Sequence, residues 1–576
     1  MRILLVHPQD SARVGPWFSE RWDVVVDLGR SSSFSREAWG KHYGCTVLSA
    51  DTYREGIADG KRVREMFSAG RGYLIDEKRI DQWELAATNL FGEALSILAL
   101  QRLSAELPDS ADLWSTRPDW RANVVSRLSG RPVHHFHRGF KPAGSTVAHY
   151  ASLFRRFSIS QIREIAWDKY DPGFWWRGRL SGQRRPLAKP VVLIPSAYEN
   201  VSRVAAGYAA LLPEQSFLLV ATRESAKRCS TPANIHIRDL AQYATEESRE
   251  GESAMLRNAL AKLRANLQSD PFFRVLFGTG VSEQVSEWLG YGLAVRDAWS
   301  KMLDTEPVEG VLCGDDSNLY TRLPVLLASA RKIPTVDFHH GALDGNYLLK
   351  DLPSDVFLAK TEMERDYLLR ICGLPADRIV IAPPVEPPPT KARSSHRLAV
   401  LFSEPYEVGG MRADEVYREL LPALWQLARE NGRELVVKLH PFESRSERSR
   451  IIRNILSADA ARQIRIVEGP RTPELVGEAW FGITIESTTA MECARNGVCC
   501  FLCRWLALSS YGYQEQYARF RIGQALETAE QIAQIPQLLA DFSKCSGLKW
   551  ADAVEPALLR QLLTAVHEPS GVRSAS

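Results

Sequence analysis

The sequence predicts an α/β protein built from doubly wound parallel sheets. Two observations carry that expectation. Short apolar runs rich in Val, Ile and Leu alternate with stretches whose apolar residues recur at helical spacing, the pattern of strands covered on both faces by crossover helices. The run 383–389, Pro-Pro-Val-Glu-Pro-Pro-Pro, can form neither helix nor central strand and makes a stiff spacer between two such series. At about 150 residues per domain, a chain of 576 residues holds three or four units with cores of their own.

Composition narrows the class. Hydrophobic residues make up 45%, charged residues 24% and aromatics 9%, which excludes a disordered chain, a collagen-like fibre and a disulfide-stapled miniprotein. Lys and Arg number 72 against 69 Asp and Glu, a net charge of +3, so bulk charge argues against a nucleic-acid partner. The nine cysteines show no spacing repeat and read as reduced thiols. Cys499, Cys500 and Cys503 lie in an apolar run that reads as a buried strand, where free thiols pack well, so no metal site is expected. Met1 to His7 is a strand too short for the apolar region of a signal peptide, and no run reaches the eighteen or so apolar residues of a membrane span. A soluble, cytoplasmic protein is expected.

Taken in order, strands are expected at 3–6, 24–26 and 133–135 within a first αβ block. The stretch from about 140 to 185 is rich in Arg, Phe and Trp, and reads as domain packing or as a surface touching membrane lipid or a glycolipid. A strand at 191–194 leads to Asn200 as a helix cap, a helix over 201–212 and a strand at 217–220. Strands at 308–313 and 335–338 flank a helix over 323–330. After the prolines come a strand at 398–402, a helix over 412–430 capped by Gly432, and strands at 435–439, 464–467, 481–485 and 498–502. The last ten residues, small and polar, form a flexible tail. The expected units are 1–180, either a separate Rossmann-like domain or part of the acceptor domain; 181–382; a Pro-rich linker, 383–397; 398–566; and the tail, 567–576.

In an open α/β sheet, ligands bind beyond the carboxyl ends of the strands, so the residues just after each strand are the informative ones. His440-Pro441 follows one such end, where an imidazole N–H can donate to a phosphate oxygen or simply brace a turn. Glu486-Ser487-Thr488-Thr489 follows another and opens a helix, an anion site or a plain Ser/Thr cap. One turn on, Glu492 suits a pair of ribose hydroxyls, or is an ordinary surface Glu. Together these suggest a nucleotide site without a phosphate-binding Gly-rich loop, since neither G-x-x-x-x-G-K-[ST] nor G-x-G-x-x-G occurs. On the other side of the linker, Asp315-Asp316-Ser317-Asn318 offers adjacent carboxylates suited to acid–base work, or a capping turn for the next helix. His339-His340-Gly341, continuing to Asp344 and Gly345, follows a buried strand and has little packing use. His7-Pro8-Gln9 and 195–199 are weaker candidates on the same side. His134, His135 and His137 alternate across a strand and read as ordinary.

The combination of Lys438-Leu439-His440-Pro441 with the segment from Glu486 through Glu492 to Gly497 resembles glycosyltransferases of the GT-B fold, in particular those of bacterial surface polysaccharide and capsule synthesis. It is similar to sialyltransferases, Kdo transferases and the glycerophosphotransferases of teichoic acid synthesis. The resemblance spans about 190–505 and does not single out one family. It implies two Rossmann-like doubly wound domains facing a cleft, here with an additional N-terminal αβ region. It further implies a sugar moved from a nucleotide-activated donor to a surface glycan or glycolipid precursor. His440, Ser487 and Thr488 would hold the donor phosphate and Glu492 the ribose, while Asp316 or His340 would deprotonate the acceptor hydroxyl. No metal or resident cofactor is implied, the nucleotide sugar being a co-substrate, and location would be cytoplasmic, peripheral at the inner membrane. Gly497-Val498 departs from the usual Gly-Pro, and the spaced glutamate pair of many retaining enzymes is missing. A nucleotide-sugar 2-epimerase and a non-catalytic nucleotide-binding relative share this architecture and stay open.

Overall fold

A computed structural model describes residues 1–10, 15–136, 185–245, 249–341, 343, 352–385, 396–407, 410–469, 473–507, 513–542 and 550–565. The aromatic-basic stretch 150–177, Asp344, Gly345, most of the Pro-rich linker and the tail from 567 lie outside them. The described strands form three sheets, each paired in parallel throughout.

The first sheet holds β1 (Arg2–Val6), β2 (Val24–Asp27), β3 (Thr46–Ser49), β4 (Asp112–Ser115) and β5 (Val133–His135) in the order β3-β2-β1-β4-β5. Its helices are α1 (Ser33–Tyr43), α2 (Ile57–Ser68), α3 (Gln82–Glu106) and α4 (Trp120–Ser129). Ser32 caps α1 through the Ser35 amide at 3.1 Å, and Gly44 closes it in the left-handed conformation, φ 62°. The 25-residue α3 is apolar nearly all round and is a core helix rather than a surface one.

The middle sheet is seven-stranded: β6 (Val191–Ser196), β7 (Phe217–Ala221), β8 (Ile235–Asp239), β9 (Val308–Cys313), β10 (Thr335–Phe338), β11 (Val356–Ala359) and β12 (Ile379–Ile381). The order is β12-β11-β10-β9-β6-β7-β8. Around it run α5 (Glu199–Ala209), α6 (Glu250–Leu267), α7 (Pro271–Gly278), α8 (Glu283–Thr305), α9 (Leu319–Ala330) and α10 (Glu362–Arg370). Asn200 does not cap α5, contrary to expectation. The N-cap is Tyr198, two residues earlier, and Asn200 already lies inside the helix, behind Glu199, which suits the positive helix end. Similarly α9 begins four residues before 323, because the Asn318 side chain accepts the Tyr320 amide at 3.0 Å.

The third sheet, β15-β14-β13-β16-β17-β18, comprises β13 (Leu398–Phe402), β14 (Glu434–Lys438), β15 (Arg465–Val467), β16 (Ala479–Thr484), β17 (Cys500–Cys503) and β18 (Gln524–Leu526). Its helices are α11 (Ala413–Glu430), α12 (Arg445–Ile455), α13 (Ala458–Gln463), α14 (Pro473–Gly477), α15 (Thr489–Arg495), α16 (Tyr513–Arg519) and α17 (Ile535–Phe542). Cys499 and Cys503 pack into the core on one face of this sheet and Cys500 into the core on the other, as a period of two requires. Among the described residues no helix is long and apolar enough to cross a membrane.

The units are not independent. Trp83 and Leu90 of α3 share one core with Leu293 and Trp299 of α8. Phe357, Met363 and Tyr367 share another with Phe402, Met491 and Tyr517. The last helix, α18 (Pro556–Thr564), leaves the third unit and packs on the middle sheet. Leu559, Leu562 and Leu563 join the core of β6, β7 and β10, and Arg560 pairs with Glu214. Gly310 admits it, since a Cβ there would collide with the Leu563 carbonyl oxygen. Where the chain returns, the Val554 amide bonds to the Pro383 carbonyl at 2.9 Å, beside the point where it left.

Candidate functional site

Strand order reverses between β13 and β16 in the third sheet, and between β6 and β9 in the middle one. Each reversal opens a crevice at the carboxyl edge; Asp316 and the Ser487 loop follow strands at the reversals, and His340 and His440 each follow the next strand out.

At the third sheet, Glu404 follows β13 and bridges the reversal point. One carboxylate oxygen accepts the Thr484 hydroxyl at 2.5 Å and the amides of Ile485 and Glu486 at 2.8 and 3.0 Å. A carboxylate therefore takes the first N–H groups of the β16 loop, and an anionic ligand must engage the loop further along. Ser487 and Thr488 stand there, half-buried, with the Ser487 hydroxyl accepting the Thr489 amide at 3.3 Å and Thr488 as the N-cap of α15. Glu492, also half-buried, sits one turn into that helix.

His440 follows β14, two strands from β16 across β13, so roughly 10 Å separates it from the Ser487 loop. Its Nδ1 accepts the Phe442 amide at 3.2 Å, which leaves the imidazole proton on Nε2. Its own amide donates to Glu443 at 2.7 Å. Glu443 is buried, accepts Ser403 Oγ at 2.7 Å and is held by Arg448 at 2.7 Å, while the two terminal nitrogens of Arg448 reach Glu407 at 2.8 Å each. Burial pushes the Glu443 carboxyl above the usual range, against the pull of Arg448 and Ser403. This network ties the loops after β13 and β14 into one rigid piece. Lys438 is also structural, its ammonium capping the Leu439 and Gly469 carbonyls at 2.9 and 2.6 Å.

At the middle sheet, Asp316 and His340 come from the adjacent strands β9 and β10. Asp316 is fully buried and bonded to Arg322 at 3.1 Å; Arg322, itself buried, also binds Glu84 of α3. The segment Asp315 to Asn318 forms a capping turn: Ser317 donates to Asp315, Thr321 to the Asp315 carbonyl, and Asn318 caps α9 while reaching the Tyr198 hydroxyl at 3.3 Å. His340 is half-buried, and its Nδ1 lies 3.2 Å from the Gly314 carbonyl, which can only accept, so the proton is on Nδ1 and the lone pair on Nε2. Burial lowers its pKa from the ordinary 6.5, opposed by the nearby Asp315 carboxylate. His339 is buried behind it, the two rings 4.9 Å apart. Lys360 follows β11, beside His340 by the strand register, and pairs with Glu364 at 3.2 Å.

His7, after β1, repeats the turn of His440: Nδ1 accepts the Gln9 amide at 3.1 Å. Its crevice is closed from within, since the His7 amide donates to Thr116 Oγ1 at 3.0 Å across β1 and β4. Glu404 and Arg322 were absent from the sequence-based candidates. Glu404 was within reach of the rule applied to the other strands, because it stands two residues past 398–402. Arg322 was not, since only the fold brings it to Asp316 and Glu84.

Fold and edges define an α/β protein of two Rossmann-like units carrying an extra N-terminal parallel sheet. No protein-family model matches the chain, and no curated protein matches its sequence. Several solved structures resemble it. The UDP-GlcNAc 2-epimerase of Methanocaldococcus jannaschii is 12% identical, with a TM-score of 0.42 over 65% of this chain and 99% of that one. The calicheamicin glycosyltransferase CalG4 is 12% identical, TM-score 0.36, over 66% and 94%. MurG of Acinetobacter baumannii is 14% identical, TM-score 0.35, over 65% and 95%.

Proposed function

We propose that the chain is a glycosyltransferase moving a sugar from a nucleotide-activated donor to a hydroxyl of a glycan or glycolipid precursor. The donor lies at the carboxyl edge of the third sheet and the acceptor at that of the middle sheet. The observation that carries this is the pair of opposite histidine tautomers. His440 carries its proton on Nε2 and suits a phosphate oxygen that gains charge as the bond to the sugar breaks. His340 keeps its Nε2 lone pair and suits a base that takes the acceptor proton. Ser487 and Thr488 add hydroxyl donors for the phosphate, and Glu492 accepts from the ribose. Of the two base candidates, Asp316 is committed to Arg322, which makes His340 the base and Asp316 its structural neighbour. No resident cofactor enters the reaction, which would run in the cytoplasm, with the acceptor presented at the inner membrane. The Glu404 carboxylate at the reversal point beside the donor favours a second reading, a nucleotide-sugar 2-epimerase, in which it moves a proton on the donor sugar.

A thermal-shift screen with CMP, CDP, UDP, GDP and ADP, on wild type and His440→Ala, tests the donor site. A ligand at a hundred times Kd stabilises by about 2.7 kcal/mol. The expected result is a shift with one base that is lost in the variant; no shift with any of the five overturns the reading. Incubating the matching nucleotide sugar without acceptor then separates the two chemistries, since only an epimerase changes the donor.

A further inference from the structure

We infer that Asp27 of the first unit is a positioning residue for the donor site, acting through Arg412. The inference rests on the nucleotide-binding reading of the third sheet. The carboxyl edge of the first sheet, where an open α/β sheet would take a ligand, is a docking face for the loop after β13. Arg412 ends that loop and is buried. Its guanidinium bonds the Asp27 carboxylate at 2.8 and 3.2 Å and the His7 carbonyl at 3.1 Å, reaches the Asp10 carbonyl, and lies 5.0 Å over the Trp39 ring. The backbones meet as well: the Arg30 amide donates to the Gly410 carbonyl at 3.0 Å.

The same loop carries both carboxylates that organise the donor edge. Glu404 holds the amides of Ile485 and Glu486, and Glu407 holds Arg448, which holds Glu443 under His440. A loop anchored at its far end by five polar contacts to another unit has its near end fixed by that unit. Asp27 is fully buried and has no path to a nucleotide of its own, so its influence on binding runs through the loop.

The test is nucleotide affinity and amide hydrogen exchange in the full chain for Asp27→Asn. Asp59→Asn is the control, since it weakens a partly buried pair with Arg102 that lies wholly inside the first unit. Asp27→Asn should weaken binding of the nucleotide found above by roughly three- to thirtyfold and speed exchange at Ile485, Glu486 and His440, and the control should do neither. If Asp27→Asn fails to fold, Gly29→Ala replaces it. Its Cβ would stand 3.0 Å from the Gly410 carbonyl oxygen and push the docked loop without removing a charge. Unchanged exchange at those three amides in a folded variant overturns the inference, whatever the affinity. Failure of wild type to bind any nucleotide overturns the functional reading, while the exchange measurement still decides the coupling.

Discussion

Glu415→Gln is expected to make the protein more stable above neutral pH and to leave it unchanged in acid. Glu415 lies in the first turn of α11, only 12% exposed, with its carboxylate 3.8 Å from Arg412. Burial and the charges of Asp27 and Asp414 disfavour its ionisation, while Arg412 and a hydrogen bond from Ser35 favour it. Burial prevails, and the carboxyl is pushed from 4.5 up to about 7. A folded value above the unfolded one means that the folded chain holds the proton more tightly. Stability is then greatest below the unfolded value and falls as pH rises towards the folded one. A rise of 7 − 4.5 = 2.5 units corresponds to about 3 kcal/mol, lost between those two limits. Glutamine keeps the shape and does not titrate. Urea unfolding followed by tryptophan emission well below pH 4.5 and near pH 8 would read this, with Trp39 beside Arg412 as the local probe. The curves should coincide in acid, with the variant ahead by up to about 3 kcal/mol in base. A variant less stable than wild type near pH 8 would refute the reasoning, because the ion pair with Arg412 would then outweigh the cost of burying the carboxylate.

Arg322→Met should cost about 3–5 kcal/mol in urea unfolding, since it leaves the Asp316 and Glu84 carboxylates without their shared cation. Gly310→Ala should cost about 1–3 kcal/mol by forcing the Leu563 carbonyl off the middle sheet, and limited proteolysis near Val554 should quicken with it. His340→Gln should abolish transfer while leaving nucleotide affinity intact. Because burial lowers the His340 pKa, the acid limb of kcat/KM should fall below the ordinary histidine range. A limb at or above 6.5 would remove it from the role of base.

The sheets were legible where strands are apolar on both faces. Val191–Ser196, Phe217–Ala221 and Leu398–Phe402 are buried at every position and were anticipated, whereas the equally buried Val356–Ala359, only four residues long, was not. Strands β3, β8, β15 and β18 carry exposed or half-buried residues, and short polar-interrupted segments do not announce themselves. Of these only β15 was anticipated, and β4 and β12, which also carry half-buried residues, were missed with the others. For the site, residue type and position after a strand sufficed to nominate His440 and His340. Their tautomers depend on a backbone amide at 442 and a carbonyl at 314, which only folded coordinates supply. Asp316 shows the limit most clearly. In sequence it is one of two adjacent carboxylates with equal claims, and Arg322, six residues on, turns it inward through one turn of α9.

The chain passes from the middle unit to the third after β12 and comes back before α18, with Pro383 and Val554 hydrogen-bonded where the two passages lie together. A single passage would act as a ball joint, free to swivel in every direction. Two passages fastened side by side, on top of the shared core, add a resistance to twist of the third unit against the middle one. Cutting the chain at either passage would keep the units attached while removing that resistance. The range of their relative orientations after one cut, compared with that of the intact chain, therefore measures how far the return of a nine-residue helix governs the angle at which the two edges can meet.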